Sequence, residues 1–159
     1  MAMFEITQAL MSVSTLFHAR AQGADDVVYT VRGDLVSPVP RFALIKGEEG
    51  DKVAALAGNF VKTKFDIEVG GAVAATLTFP PVAFKKKFTL RVGDTEYAVD
   101  GGIFQGLFQC KGGTGEVDLE IAKQFGIRDS FIVKTTDKVA DAIGLLATVA
   151  IHSRFYEMV

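Results

Sequence analysis

The feature that most constrains this chain is an apolar run near its C-terminal end. The run extends from Val139 to Ile151, reads VADAIGLLATVAI and carries one charge, Asp141. A surface helix keeps a polar face opposite its apolar stripe, but Ala, Ile, Leu and Val here occupy every side, so other parts of the chain must surround this helix. A bilayer-spanning helix needs about 20 apolar residues. His152, Ser153 and Arg154 interrupt this run earlier, which favours a buried core helix over a membrane span.

A weak internal repeat, marked by phenylalanine, indicates what surrounds the helix. Six of the 13 phenylalanines, at positions 17, 42, 65, 88, 108 and 131, are spaced by 20 to 25 residues. The surrounding segments are similar, as in KFDIEVG from Lys64 and KFTLRVG from Lys87. A period of this length is typical of one supersecondary unit used repeatedly.

Each repeat has the pattern of a β-hairpin. In Phe65 to Val69 the apolar residues alternate with charged residues, which is typical of a half-buried strand. Gly70 and Gly71 tolerate the positive φ of a tight turn, and Val73 to Leu77 returns as the second strand. Five such hairpins, with single strands at Met3 to Thr7 and Ser130 to Val133, predict twelve strands.

Twelve strands in a short chain leave exposed edges unless the sheet closes into a barrel. A barrel of this width is not filled by strand side chains alone, whereas a helix along its axis fills it. We therefore predict a mainly β fold: one domain, residues 1–159, with a closed barrel of about twelve antiparallel strands around a core helix at about 137–152. Thr135, Thr136 or Asp137 is the predicted N-cap. The alternative is a two-sheet sandwich with the helix outside, where a polar face would be expected.

Composition limits the classes of partner and compartment. The chain has 159 residues, 49% hydrophobic and 23% charged, which fits one globular domain. Its net charge of −2 gives no overall attraction to nucleic acid, so any basic site must be local. Cys110 is the only cysteine and cannot form an intramolecular disulfide. The N-terminal sequence MAMFEITQAL lacks the pattern of a secretory signal, so the cytoplasm is the expected compartment.

Several spaced segments together resemble the LURP-one-related proteins. They are YTVRG from Tyr29, FALI from Phe42, YAVDG from Tyr97, and DSF from Asp129 leading into LLATVAI. That group belongs to the tubby C-terminal-like superfamily, and the phospholipid scramblases are its relatives. The resemblance covers nearly the whole chain and implies a twelve-stranded barrel threaded by a hydrophobic C-terminal helix. It also implies lipid binding, because tubby domains bind phosphoinositides through basic side chains on the barrel surface.

The clearest charged cluster lies between two predicted hairpins, in the sequence FKKKF from Phe84. Successive hairpins start at the same rim of a barrel, so the cluster should share a rim with the loop one repeat earlier. The predicted basic patch consists of Lys62, Lys64, Lys85, Lys86 and Lys87. Such a patch suits phosphate groups or an acidic peptide, and Phe84 beside it would suit a membrane interface. The alternative is that the lysines only solubilise the rim and prevent edge pairing, with Phe84 in the core.

The sequence shows no recognisable catalytic or metal-binding set. A zinc site needs three or four ligands, and the chain has only His18, His152 and Cys110 besides its carboxylates. Cys110 lies in a short apolar strand, which predicts an inert buried thiol. The sequence KGGTG at Lys111 to Gly115 precedes a strand rather than a helix, which indicates a hairpin turn and not a phosphate-binding loop. We expect no enzyme activity, no metal and no cofactor.

The expected function is therefore that of a binding module. The first hypothesis is a tubby-like module for anionic lipid headgroups, such as phosphoinositides, or for phosphorylated ligands, acting at membranes peripherally and without a transmembrane segment. The second is a protein-interaction or scaffold domain with an acidic partner. The third is a small-molecule carrier, or an enzyme with a site at a barrel mouth, although a helix inside the barrel leaves little room. Nucleic acid is not an expected partner.

Overall fold

The computed structural model of the chain describes residues 1–9, 15–82, 86–101, 106–126 and 129–157. The strands in these ranges are β1 (Ala2–Ala9), β2 (Leu16–Ala21), β3 (Val27–Gly33), β4 (Arg41–Lys46), β5 (Lys52–Gly58), β6 (Lys64–Val69), β7 (Ala72–Thr78), β8 (Lys87–Val92), β9 (Thr95–Asp100), β10 (Leu107–Lys111), β11 (Val117–Gln124) and β12 (Ser130–Thr135). They are followed by the helix α1 (Asp141–Ile151), which continues as one wider π-helical turn, His152–Tyr156.

The strands form one antiparallel sheet that curls into a nearly closed barrel. Each strand pairs with the next strand along the chain, except that β9 does not pair with β10. The first strand, β1, also pairs with β12, and Ile6 lies opposite Phe131 in that ladder. The sheet therefore begins at β10 and ends at β9, and these two strands lie against each other without a continuous ladder between their described residues. The predicted twelve-stranded antiparallel barrel is confirmed.

The alternation seen in the sequence determines which side chains face inward. In β6, Phe65 and Ile67 are fully buried, whereas Asp66 is partly exposed and Glu68 is exposed. The same alternation holds in β8, where Phe88 and Leu90 point into the core. Five of the six repeat phenylalanines are buried, Phe42 being half-buried, and the rings of Phe88 and Phe108 lie 5.8 Å apart, so the repeated residue supplies much of the core.

Helix α1 fills the barrel, and every residue from Ile143 to Ile151 is buried. At Gly144 the helix backbone lies close to side chains of β11 and β12. A Cβ atom added there would lie 2.7 Å from Cγ2 of Thr135 and 3.1 Å from Cδ1 of Leu119. The glycine therefore allows the helix to contact the barrel wall without a gap.

The predicted start of the helix and the predicted N-cap are wrong. The α-helix begins at Asp141 rather than near 137, and its N-cap is Ala140, which makes no side-chain cap hydrogen bond. Thr135 is the last residue of β12 and donates to Oδ1 of Asp141 at 2.6 Å. The Thr136 hydroxyl donates to the backbone carbonyl of Asp118 at 2.8 Å. Both hydroxyls therefore stabilise the turn that leads into the helix, instead of capping it.

Antiparallel pairing gives the barrel two different ends. The turn end carries the short connections 22–26, 47–51, 70–71, 93–94 and 112–116, together with the segment 136–140 that precedes the helix. The loop end carries the connections before β2, β4, β6, β8, β10 and β12, whose described residues are 15, 34–40, 59–63, 79–82 with 86, 101 with 106, and 125–126 with 129. The π turn that follows α1 lies at this end. Helix α1 thus enters at the turn end and leaves at the loop end. In the described ranges, no helix combines the length and the apolar character needed to cross a bilayer.

Candidate functional site

Four of the five predicted site lysines lie at the loop end. Lys64 and Lys87 begin β6 and β8, and Lys62 and Lys86 lie in the connections just before these strands. Lys85, like Phe84, lies outside the described residues. The shared rim follows from the topology, because alternate connections of an antiparallel barrel lie at the same end. The lysines nevertheless differ in what they contact.

Lys62 serves as an internal tether of the loop end. It adopts a left-handed backbone conformation with φ of 57°, which is uncommon for a residue other than glycine. Its ammonium group forms an ion pair with Glu157 and donates to the backbone carbonyl of Ser153 at 3.2 Å. Lys62 therefore joins the connection 59–63 to the π turn, and its charge is already balanced within the protein.

Lys86, Lys87 and Lys64 present their charge nearer to solvent. The Nζ of Lys86 lies 4.5 Å from the ring centroid of Tyr156, a cation–π contact. Lys87 and Asp100 form a loose ion pair of 3.8 Å between side chains that are 47% and 59% exposed, and such exposed pairs contribute little to stability. Lys64 is exposed and forms no ion pair with the residues that the structure describes. These three lysines lie on one part of the rim, at the starts of β6 and β8, which are separated only by β7.

Exposed apolar side chains at the same end were not predicted from the sequence. Among the described residues, those at the loop end are Leu35, Val36, Phe60, Val61, Val82 and Phe125. They come from four separate connections, and Phe60 and Phe125 are 78% and 75% exposed. Exposed apolar groups gathered on one face mark a protein or membrane contact. We name these six side chains, with Lys64, Lys86 and Lys87, the loop-end surface.

A signal for this surface was present in the sequence but dispersed. The six apolar residues span positions 35 to 125, so no local window shows them together. Each of them falls in a connection that follows the second strand of a predicted hairpin, and the connection that holds Phe125 leads into β12. Sorting loop residues by barrel end, rather than by position in the chain, would have found them.

The two ends also differ in charge. The connections at the turn end hold eight carboxylates, Asp25, Asp26, Glu48, Glu49, Asp51, Asp94, Glu116 and Asp137, against one base, Lys138. In the loop-end connections and the residues that follow α1, the described bases Lys62, Lys86 and Arg154 balance the described acids Asp34, Asp129 and Glu157. The strand ends change these totals. At the loop end they add Arg41, Lys64 and Lys87 against Asp100, and at the turn end they add Lys46, Lys52 and Lys111, which leaves eight carboxylates against four bases there. The turn end would therefore repel an anionic surface, and the loop end is the end that could approach it.

A buried polar group anchors the connection that carries Phe125. His152 is 3% exposed, and its Nε2 lies 2.7 Å from Oδ2 of Asp129. The other oxygen of Asp129 accepts from Nζ of Lys123 at 3.1 Å. Burial acts to raise the pKa of Asp129, but hydrogen bonds and charge from His152 and Lys123 outweigh it and lower that pKa below 3.8. Asp129 thus links the π turn to β11 immediately below the loop-end surface.

A second polar group lies inside the barrel, and its chemistry is structural. The Tyr97 hydroxyl donates to Oδ2 of Asp118 at 2.8 Å. Burial and the hydrogen bond to Asp118 raise the pKa of Tyr97 to about 12. Burial and the charge of Asp118 likewise raise the pKa of Cys110 to about 12, so this buried thiol stays protonated at neutral pH. In the part of the chain that the structure describes, no group of three or more His, Cys, Asp or Glu residues is placed to hold a metal ion.

Comparison with known proteins adds no family to these observations. No protein-family model and no curated protein sequence matches this chain.

Proposed function

We propose that this protein is a non-enzymatic binding module whose loop-end surface docks onto anionic membranes. One observation carries the proposal: exposed apolar side chains and lysines from separate connections lie at the same end of a nearly closed barrel. The lysines would lie among the phosphate headgroups, and side chains such as Phe60 and Phe125 would reach the boundary of the acyl chains. The phosphoinositide binding implied by the resemblance to tubby proteins belongs to the same class of function.

The magnitudes favour docking by several weak contacts. Burying apolar surface contributes about 25 cal/mol per Å², and a lysine near an anionic leaflet contributes about 1 kcal/mol. Neither the apolar contribution nor the lysine contribution is by itself sufficient to hold a protein on a membrane. The loop-end surface combines both kinds of contact at one end of a barrel of paired strands, so little conformational entropy of the barrel itself is lost on docking.

A protein-interaction module is the second candidate. The same exposed apolar side chains would serve a protein interface, where aromatic residues are enriched. Lysine is depleted in such interfaces, so Lys64, Lys86 and Lys87 around the apolar groups favour the membrane. The two candidates differ in whether lipid alone is sufficient for binding.

Cosedimentation with vesicles tests the proposal. Vesicles of phosphatidylcholine would be compared with vesicles that also contain phosphatidylserine or a phosphoinositide, each at low and at physiological salt. The charge-reversal variant carries Lys64→Glu, Lys86→Glu and Lys87→Glu. A matched control carries Lys46→Glu, Lys52→Glu and Lys111→Glu, which alter exposed lysines away from the loop end. A second pair compares Phe60→Ser with Val73→Ser, because Val73 is also exposed but lies on β7 away from the loop end.

We expect binding to anionic vesicles only, weakened by salt. The loop-end triple variant and Phe60→Ser should bind less, while both controls should bind as the unaltered protein does. Equal loss in the loop-end and control triple variants would indicate net charge alone and contradict a specific docking face. Absence of binding to every vesicle would contradict membrane docking and leave the protein-interaction candidate.

A further inference from the structure

The outer wall of the barrel has a groove where β7 leaves the sheet. The ladder between β7 and β8 ends at Thr78 and Thr89, although β8 begins two residues earlier, at Lys87. Pro80 and Pro81 follow β7, and proline has no amide hydrogen to donate to a ladder. A groove of about 520 Å³ therefore opens between the segment 79–81 and the outer face of β8 and β9.

The proline wall of this groove is held in place from behind. The Phe79 ring is buried and packs against Phe65 and Phe88, with ring centroids 5.7 and 5.1 Å apart. The guanidinium of Arg154 donates to the backbone carbonyls of Pro80 and Pro81 at 2.8 and 3.2 Å. The wall is thus tied to the core and to the π turn, so the groove is a built feature of the fold and not a gap beside a loose loop.

The chemistry of the groove is that of an amphiphile site. Pro80, Pro81 and Ala98 supply apolar surface, and Thr78 and Thr89 add methyl groups beside it. The charged side chains among the described lining residues, Lys87 and Asp100, form the loose ion pair described above. The volume lies within the range of about 300 to 1,000 Å³ that is typical of small-molecule sites.

We infer that this groove binds a single amphiphile, an apolar chain with an anionic carboxylate or phosphate head. The chain lies along Pro80, Pro81 and Ala98, and the head pairs with the ammonium group of Lys87. A half-exposed ion pair of 3.8 Å is weak enough for Lys87 to exchange its partner. This site takes one molecule from solution. It shares Lys87 with the loop-end surface, but Ala98 and Thr89 lie outside that surface, so filling the groove tests this site separately from vesicle docking.

Fluorescence titration with a dansyl-labelled fatty acid, kept below its micelle concentration, tests the inference. The groove is filled by Ala98→Phe, which alters an exposed residue on the outer face of β9. The matched control is Ala72→Phe, which alters an exposed residue at the other end of the barrel. Thr89→Phe is a second groove variant in case the first does not fold. Displacement by decanoate, decyl phosphate, decanol and butyrate separates the contributions of head and chain.

The expected result is saturable binding of one probe per protein. Filling the groove should weaken binding by at least about tenfold, while Ala72→Phe should leave it unchanged. Lys87→Gln should weaken displacement by decanoate and decyl phosphate but not by decanol, and butyrate should compete poorly. Equal affinity for the probe in Ala98→Phe, Thr89→Phe and the control would overturn the site, as would the absence of saturable binding. Either result would leave the vesicle experiment to be decided separately.

Discussion

At the residue scale, Asp129 is the carboxylate with the clearest energetic role. It accepts hydrogen bonds from Lys123 and contacts buried His152, so it serves two cationic or titratable partners at once. Its lowered pKa means that the folded state favours the ionised form. The stabilisation is therefore complete above the ordinary value of 3.8 and is lost as the pH falls through the lower pKa of the folded state.

Asp129→Asn should accordingly destabilise the protein in a pH-dependent way. At pH 7 we expect a loss of about 1–2 kcal/mol in the free energy of unfolding, since the carboxylate is partly exposed and its interactions are screened. Urea unfolding at pH 7 and pH 3 measures the effect, and the difference from the unaltered protein should shrink at pH 3. Asp137→Asn, in an exposed turn, is the control and should change little. A difference that stays constant with pH would contradict the ionised role of Asp129.

Cys110 offers a second test at this scale. With a pKa of about 12 against the ordinary 9.0, its thiolate fraction at pH 8 falls about a thousandfold. Reaction with maleimide should therefore be slow in the native protein and fast in urea, when followed by mass spectrometry. In a Cys110→Ser background, Lys111→Cys places a thiol at an exposed neighbouring position and should react promptly without urea. Rapid labelling of native Cys110 would show that the thiol is accessible.

At the scale of single elements, the contact of α1 with the barrel wall depends on Gly144. Gly144→Ala would raise helix propensity by about 1 kcal/mol, but the new methyl group would lie 2.7 Å from Cγ2 of Thr135. We expect overpacking to outweigh propensity and the variant to lose about 1–3 kcal/mol of unfolding free energy. Thermal unfolding measures the net effect.

A double variant identifies the cause of this loss. Thr135→Ser removes Cγ2 but keeps the hydroxyl that donates to Asp141. Combined with Gly144→Ala, it should recover part of the stability, so the two changes should be non-additive. Strictly additive losses would mean that Thr135 is not the group that excludes a side chain at Gly144.

The elements themselves were largely predictable from the sequence, and their ends were less so. Alternation in segments such as Phe65 to Val69 depends only on local period and on which face is buried, so the strand count and the barrel could be predicted. The start of α1 could not, because Thr135 and Thr136 look like cap residues locally. Their hydroxyls instead bond Asp141 and the carbonyl of Asp118, and the latter contact exists only after β11 and β12 have paired.

At the scale of the whole molecule, the site was predictable only in part. The rule that alternate connections share an end placed the lysines at one rim, but nothing local to Lys62 reveals a partner 95 residues away at Glu157. The exposed apolar groups were missed for the same reason, since their proximity is a property of the closed barrel. Local patterns carry period and propensity, whereas the ends of a barrel are defined by contacts between distant residues.

The barrel should not survive without its helix. Ending the chain after Lys138 would remove α1 and leave inward residues such as Leu56, Phe65 and Ile121 around an empty interior. We expect the shortened chain to lack a cooperative thermal transition and to bind hydrophobic dyes. The milder variant Leu146→Ala should remain folded but lose about 2–5 kcal/mol of unfolding free energy. A shortened chain that unfolds cooperatively would show that the barrel is stable when empty.

The pairing of β1 with β12 has a consequence for how the protein is made. Ile6 meets Phe131 across that ladder, so β1 cannot complete its pairing until β12 has been synthesised, and α1 follows later still. Contacts between residues so distant in sequence make folding slow, because the chain loses the entropy of loop closure before the stabilising contacts form. The emerging hairpins meanwhile expose their phenylalanine faces. We therefore expect the barrel to finish folding only after α1 has been synthesised, and the exposed apolar strands to be prone to aggregation until then.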